Sequence, residues 1–391
     1  MSAPADDRSQ PSPPRRGGTP ATAARPGVAR HFSQSYAEAR TRFIDAAERA
    51  GLDVESHPHP MLGRDGETLA MDVVRDGPKD AAALLVVSSA CHGVEGFCGS
   101  GVQIALLDDA AWRAAARAAG VAVLYIHGLN PYGFSWWRRT THENVDLNRN
   151  FRDFQSEAPR NAEYDELAAL LVPATWPPSD AVNAEVAGFI AAHGERALQQ
   201  AISGGQYHYP EGLFYGGTTP TWSHVTLRHV LQDHGSRCKR LGWIDLHTGL
   251  GPSGHGERIY AGRDDKQSVR RARAWWGDIT SIYDGSSTSA MLTGMMWLAA
   301  YETCPQAEYT GIALEYGTLP HLEVIEALRA EQWLENHPQT GDELRRAIKQ
   351  RMRDAFYTDT DEWKARIVEQ AVDAAHGAVR GLATVDTARA G

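Results

Sequence analysis

The sequence predicts a single α/β domain built on a parallel or mixed sheet. Three observations carry that expectation. First, AALLVVSSA (82–90), VAVLYIHGLN (121–130), RLGWIDLHTGLG (240–251) and TGIALEYGT (310–318) share one form, an apolar β-rich run followed by a polar or glycine-rich exit. Continuous apolar runs of strand length suit strands covered on both faces. Second, helix-patterned stretches intervene, among them 181–200 and 222–233. Third, no internal repeat and no obvious linker divides the chain after its first thirty or so residues.

Residues 1–30 are rich in Pro, Ala, Arg and Gly, with almost nothing large and apolar to bury, and read as a disordered tail. Arg15, Arg16 and Arg25 raise an organelle transit peptide as an alternative, against which stand the prolines and the Asp6-Asp7 pair. Residues 31–385 are then expected to form a single domain. SQSYAEARTRFIDAAERAGL (33–52) opens on Ser, has a Gly after its apolar-periodic stretch, and predicts an amphipathic helix. TLAMDVVRD (68–76) predicts an early strand, followed by the four runs above. In α/β sheets ligands gather at the carboxyl ends of strands, so the four exits should converge on one site.

Composition narrows the function. A chain of 391 residues has room for a substantial core. Its net charge of -10 argues against nucleic acid, which needs a clustered excess of Lys and Arg. A small-molecule or peptide substrate fits better. The 4 cysteines, Cys91, Cys98, Cys238 and Cys304, form no C-x-x-C pair and no disulfide framework, and read as reduced, mostly buried thiols. No apolar run is long enough to span a membrane and no secretory signal pattern is present, so a cytosolic protein is expected.

The chemistry lies at the strand exits. His92-Gly-Val-Glu95 follows the most strand-like run, on a tight turn where both side chains can face one cation. Alone it proves little: with 16 histidines, about one His-x-x-Glu is expected by chance, and a second does occur, His208-Tyr-Pro-Glu211, in loop-like surroundings. His247, in IDLHTGLG, changes the balance. A lone histidine there would more often be structural, but two histidines and a carboxylate at the mouths of two strands make the His2Glu set that Zn2+ uses when one position stays open for water. Imidazole disfavours magnesium and calcium.

Glu315, in IALEYGT, follows an apolar run, where a charge is costly unless it faces a polar cavity or partner. Near an activated water it could serve as general base. A structural ion pair is the alternative. In NPYGFSWWRRTTHENVDLNRNF (130–151), Arg138, Arg139, Asn148 and Arg149 crowd donors among aromatics. Guanidinium groups grip carboxylates and stabilise oxyanions. A solvated basic face would not need Trp136, Trp137 and Phe151 as cover.

In the order His92-Gly-Val-Glu95, Trp137-Arg138-Arg139, Asp146-Leu-Asn148-Arg149-Asn150, His247 and Glu315, the chain resembles the M14 zinc carboxypeptidase superfamily over roughly residues 80–320. HGVEG, DLNRNF, YPEGLFYGG, DLHTGLG and EYGT resemble, more narrowly, its bacterial DUF2817 branch. The resemblance implies a three-layer α/β/α sandwich around a mixed, mostly parallel eight-stranded sheet. It implies one Zn2+ on His92, Glu95 and His247, with Glu315 as general acid/base. Arg138 would polarise the scissile carbonyl, Asn148 and Arg149 would hold a substrate carboxylate, and Asp146 would orient a zinc-bound histidine. The superfamily also places a mobile tyrosine ahead of the general base; Tyr283, Tyr301 and Tyr309 precede Glu315 here, and none sits in a matching motif.

A deacylase resembling aspartoacylase and succinylglutamate desuccinylase is the second expectation, since Asn130-Pro131 and Asp146-Leu-Asn148-Arg149 fit it equally. Its substrate would be an N-acyl amino acid instead of a peptide. A non-catalytic metal-binding protein is a third, against which stand the intact Glu315 and Arg138. YPEGLFYGGTTPTWSH (209–224) reads first as a structural loop, second as a wall of the substrate pocket. His224, His229 and His234 imitate a metal face without a carboxylate to complete it.

Overall fold

The computed structural model describes residues 27–384. Seven strands form one mixed sheet: β1 (Val54–Leu62), β2 (Thr68–Asp76), β3 (Ala83–Ser88), β4 (Val121–His127), β5 (Arg240–Ser253), β6 (Gly256–Tyr260) and β7 (Glu308–Gly317). Their spatial order is β1-β2-β4-β3-β5-β7-β6. β3 pairs in parallel with β4 and β5, and β5 with β7, while the β1/β2, β2/β4 and β6/β7 pairs are antiparallel. The anticipated α/β sandwich is therefore present, with seven strands among the described residues in place of eight. Beyond β6 the edge carries an isolated bridge, Ile259 to Thr280.

Both faces of the inner strands β3 and β4 are buried, as the apolar runs require. Leu85 and Val87 of β3, Val123 and Tyr125 of β4, and Leu246 of β5 face one core with the helices Tyr36–Arg49, Gly96–Asp108 and Asp361–Ala383. Their alternates Leu84, Val86, Leu124, Ile126 and Trp243 face a second core with Trp222–Gly235 and Leu298–Thr303. A third apolar cluster joins the helices Ala162–Leu171, Glu195–Ser203, His321–Asn336 and Asp342–Phe356 beside the strand exits. The side-chain period of two puts every strand residue on one of these faces. Trp243, Asp245 and His247 share a face with Gly311, Ala313 and Glu315, because β5 and β7 pair His247 with Glu315.

The first predicted helix spans Tyr36–Arg49, with the Ser35 side chain accepting from Glu38 N as its N-cap. The stretch expected as one helix over 181–200 is two, Asp180–His193 and Glu195–Ser203, broken at Gly194 with φ 86°. Of the expected tail, residues 1–26 lie outside the described residues. Its last residues enter a 3-10 turn, Val28–His31. All four cysteines are free and buried.

Candidate active site

The turn after β3 carries the first two candidate ligands. His92 leaves the strand in extended conformation, and Gly93–Glu95 form one 3-10 turn that runs into Gly96–Asp108. The turn docks by backbone on the next segment: Gly93 N donates to Arg139 O (3.1 Å) and Val94 N to Arg138 O (2.8 Å). That approach requires glycine, since a Cβ on Gly93 would lie 2.1 Å from the Gly133 carbonyl carbon.

His92, Glu95 and His247 meet there, all buried, with one donor atom from each within 4.8 Å of the others. His92 Nδ1 is 2.9 Å from Glu95 Oε1, His247 Nδ1 is 3.0 Å from Glu95 Oε2, and the two Nδ1 atoms are 3.3 Å apart. His247 Nε2 lies 2.5 Å from Asp245 Oδ2, so Nε2–H donates to that carboxylate and Nδ1 faces the cluster. Asp245 is itself bonded to Ser88 Oγ (2.5 Å), which accepts from Trp243 Nε1 (2.7 Å). At His92 the distal nitrogen accepts from Arg139 Nη2 at 2.8 Å and lies 3.3 Å from Asp146 Oδ1. Burial works against the charge on Glu95, yet the two imidazoles hold its carboxyl well below the usual range. Burial likewise works against His247⁺, and Asp245 and Glu95 outweigh it, raising that imidazole well above the ordinary value. Two nitrogens and a carboxylate aimed at one buried point are the donor set of a borderline-soft divalent cation.

Glu315 stands beside this cluster on β7. A register shift in the β5/β7 pairing between Thr248 and Ser253 frees Leu250 N from the ladder, and it donates to Glu315 Oε1 (3.0 Å). Burial and the neighbouring charge of Glu95 push the Glu315 carboxyl up to about 8.

The two consecutive arginines part company. Arg138 points away from the cluster into a buried ion pair with Glu331 (3.0 Å) and Glu335 (3.4 Å), and also reaches Asn144 (3.0 Å). It does not line the cavity. Arg139 does, with Nε on Asp146 Oδ2 (2.9 Å) and Nη1 3.3 Å from Glu95 Oε1. The arginine at the candidate site is thus Arg139, and the expectation placed on Arg138 shifts by one residue. Trp137 explains why: its left-handed backbone (φ 53°) ends the short helix Pro131–Trp136 and turns the chain, so no helical or strand period fixes which arginine faces inwards.

Asn148 and Arg149 both line the cavity. Asn148 Oδ1 accepts from Met296 N (2.8 Å); Arg149 donates to Ser203 O (3.1 and 2.6 Å) and Asn148 O (2.8 Å), and retains further N–H groups. Burial lowers its basicity. Asp146 is buried, and although burial opposes its charge, Arg139, Arg149 and His92 hold its carboxyl well below the usual range.

Two residues of the site went unread in the sequence. Asp245 sits two residues before His247, on the same face of β5, a spacing that could have marked it. Phe214, in the 209–224 segment, lines the cavity with its ring 4.8 Å from the Arg139 guanidinium. That segment therefore does contribute a wall. Tyr283, Tyr301 and Tyr309 do not line the cavity; Tyr260 does, but its hydroxyl donates to Arg263 O (2.8 Å). His208 and Glu211 are exposed. His224 is stacked on Phe151, His234 faces Glu55, and His229 is exposed, so these three make no common site. Cys91, Asp245 and His247 form a second possible donor group, but burial pushes the Cys91 thiol well up and the His247 nitrogen nearest Asp245 is already engaged. No helix among the described residues is long and apolar enough to cross a membrane.

Solved structures similar to the chain include bovine thrombin-activatable fibrinolysis inhibitor in complex with tick carboxypeptidase inhibitor (12% identity, covering 90% of this chain and 98% of that one, TM-score 0.46). Two others, both from Shewanella amazonensis SB2B, are a candidate metallopeptidase (14%, 77% and 92%, TM-score 0.38) and a candidate member of the succinylglutamate desuccinylase/aspartoacylase family (18%, 72% and 72%, TM-score 0.33). No curated protein matches. A family model described as "Protein of unknown function (DUF2817)" matches residues 32–370, and the chain belongs to that family.

Proposed function

We propose that the chain is a zinc-dependent amide hydrolase acting on a substrate with a free carboxylate. The observation that carries this reading is the convergence of His92 Nδ1, His247 Nδ1 and the Glu95 carboxylate at one buried point, beside Glu315 and Arg139 in one cavity. Those three residues would hold one Zn2+. A zinc ion bound there supplies Lewis acidity and lowers the pKa of water.

The remaining roles fall to the chain's own groups. Asp245 fixes the His247 ring by accepting a hydrogen bond from its Nε2–H, and Asp146, 3.3 Å from His92 Nε2, is within reach of an N–H on that ring. Glu315 accepts a proton from the attacking water and passes it to the leaving nitrogen. Its raised pKa brings that carboxyl near the operating range where donation and acceptance are both accessible. Arg139 presents positive charge to the developing oxyanion, the role expected of Arg138. Asn148 and Arg149 hold the substrate carboxylate through the guanidinium hydrogens not spent on Ser203 and Asn148. Arg138 serves the fold through Glu331 and Glu335.

A peptide and an N-acyl amino acid both offer an amide next to a free carboxylate. Asn130, shared by the two expectations, plays a structural part, since its side chain caps Pro131–Trp136 by accepting from Gly133 N (2.9 Å). The test combines metal analysis with kinetics on a free peptide, its C-terminal amide, and small N-acyl amino acids. Glu315→Gln should keep its zinc and lose turnover, and the amidated peptide should be a poor substrate. Full activity in Glu315→Gln would refute the mechanism.

A further inference from the structure

Behind the candidate ligand His247 lies a line of three buried polar side chains whose hydrogen bonds can run in only one direction. Trp243, Asp245 and His247 alternate onto one face of β5, and the register pairs Ser88, at the end of β3, with Asp245. The line starts in the core. Trp243 belongs to the second apolar cluster with Val86 and Met296, and Trp243, Ser88 and Asp245 are all buried.

An indole N–H can only donate. Trp243 Nε1 donates to Ser88 Oγ (2.7 Å), so the one proton of that hydroxyl goes to its other partner, Asp245 Oδ1 (2.5 Å). The carboxylate then accepts on Oδ1 from the hydroxyl and on Oδ2 from His247 Nε2 (2.5 Å). Both of its oxygens are held, one from β3 and one from β5, and its plane cannot turn without breaking one of these bonds. The other candidate histidine is held differently: His92 Nε2 accepts from Arg139 Nη2 (2.8 Å), a residue of the cavity itself.

We infer that Ser88 and Trp243 are positioning residues for the metal site: through Asp245 they fix the His247 imidazole with Nε2–H turned away from the site and Nδ1 towards Glu95 and His92. The inference rests on His247 being a zinc ligand. With the ring fixed before a metal arrives, less rotational freedom is lost on binding and the wrong nitrogen does not compete. Removing the hydroxyl frees one oxygen of Asp245 and leaves the indole N–H buried without its acceptor, so the line loses its order at two points.

Zinc affinity, measured by competition with a chromogenic chelator, and the low-field proton NMR spectrum of the metal-free protein test this together. Ser88→Ala should weaken zinc binding roughly 3- to 10-fold, the scale of one hydrogen bond. Trp243→Phe, which keeps a ring in the core, should act in the same direction by roughly 2- to 5-fold. Ser88→Ala combined with Asp245→Asn should bind zinc no more weakly than Asp245→Asn alone, because the serine acts through that carboxylate; a serine that serves only the fold would add its own loss. In the metal-free protein the short His247–Asp245 bond should give a proton signal far downfield of the amides, absent from His247→Ala and moved in Ser88→Ala and Trp243→Phe. Parent-like zinc affinity in both single variants, additive losses in the double variant, or an unmoved signal would overturn the inference, whether or not the parent binds zinc. A parent that binds no zinc while the signal still moves with Ser88 would refute the zinc reading and support the positioning of His247 through Asp245.

Discussion

The protein carries two His-x-x-Glu segments of identical spacing in opposite surroundings. His92 and Glu95 leave a strand buried on both faces, dock by backbone on the 138–139 segment, and meet His247. His208 and Glu211 lie exposed on a loop, with nothing comparable to meet. Arg138 and Arg139 repeat the lesson at closer range. One is consumed by Glu331 and Glu335 of the helix His321–Asn336, the other stands in the cavity. Residue type and spacing define what a group can do, and the strand exit decides whether it is brought to the place where it can do it.

The sharpest way to break this comparison is to remove each histidine in turn. His92→Ala should lose the metal and about 10³-fold or more in kcat/KM, on the scale of losing a catalytic metal site, while His208→Ala should match the parent in metal content, rate and Tm. Equal effects would mean that the strand exit does not matter. The arginine pair should divide by type of damage. Arg139→Ala should lower kcat/KM about 10²- to 10³-fold, as loss of an oxyanion donor does. Arg138→Ala should mainly destabilise the fold, by about 1–3 kcal/mol in denaturant unfolding, because the buried Glu331 loses one of its two cationic partners and keeps Lys349 (2.6 Å).

A smaller effect is expected one layer out. Asp245→Asn should weaken metal affinity about 10- to 100-fold without removing a ligand, read by competition with a chromogenic chelator. Unchanged affinity would separate Asp245 from the metal. The smallest signal is a proton count. In the metal-free protein Glu315 titrates at about 8 and His247 well above its ordinary value, so at pH 7 both hold protons. A divalent cation favours their deprotonated forms, so loading should release protons at pH 7 and fewer as pH rises towards 9, measured by calorimetry in buffers of different ionisation enthalpy. Proton uptake would contradict the assigned ligands.

Much of the fold was legible because the sheet is buried on both faces. TLAMDVVRD becomes β2 over Thr68–Asp76 without adjustment, the runs 82–90 and 121–130 contain β3 and β4, and β5 and β7 extend two residues beyond theirs, to Ser253 and from Glu308. His92, Glu95, His247 and Glu315 were legible for the same reason, since a polar group at the end of such a run has to face something. Gly194 was visible but not decisive, and its left-handed backbone splits a helix that the apolar pattern alone continues. Arg139 was hidden from its neighbour by a turn at Trp137 that has no period. The part of the cavity lining that comes from 281–297 was hidden more deeply: its shape comes from Arg196, Glu257 and Gln199, far away in sequence, bonding its backbone.

The central claim is a single metal held by His92, Glu95 and His247. Elemental analysis of the purified protein, after zinc loading and removal of excess metal, tests it against His247→Ala prepared in parallel. One zinc per parent chain and none in folded His247→Ala is the predicted result. A metal-free parent that nevertheless hydrolyses amides, or full zinc occupancy in His247→Ala, would contradict it.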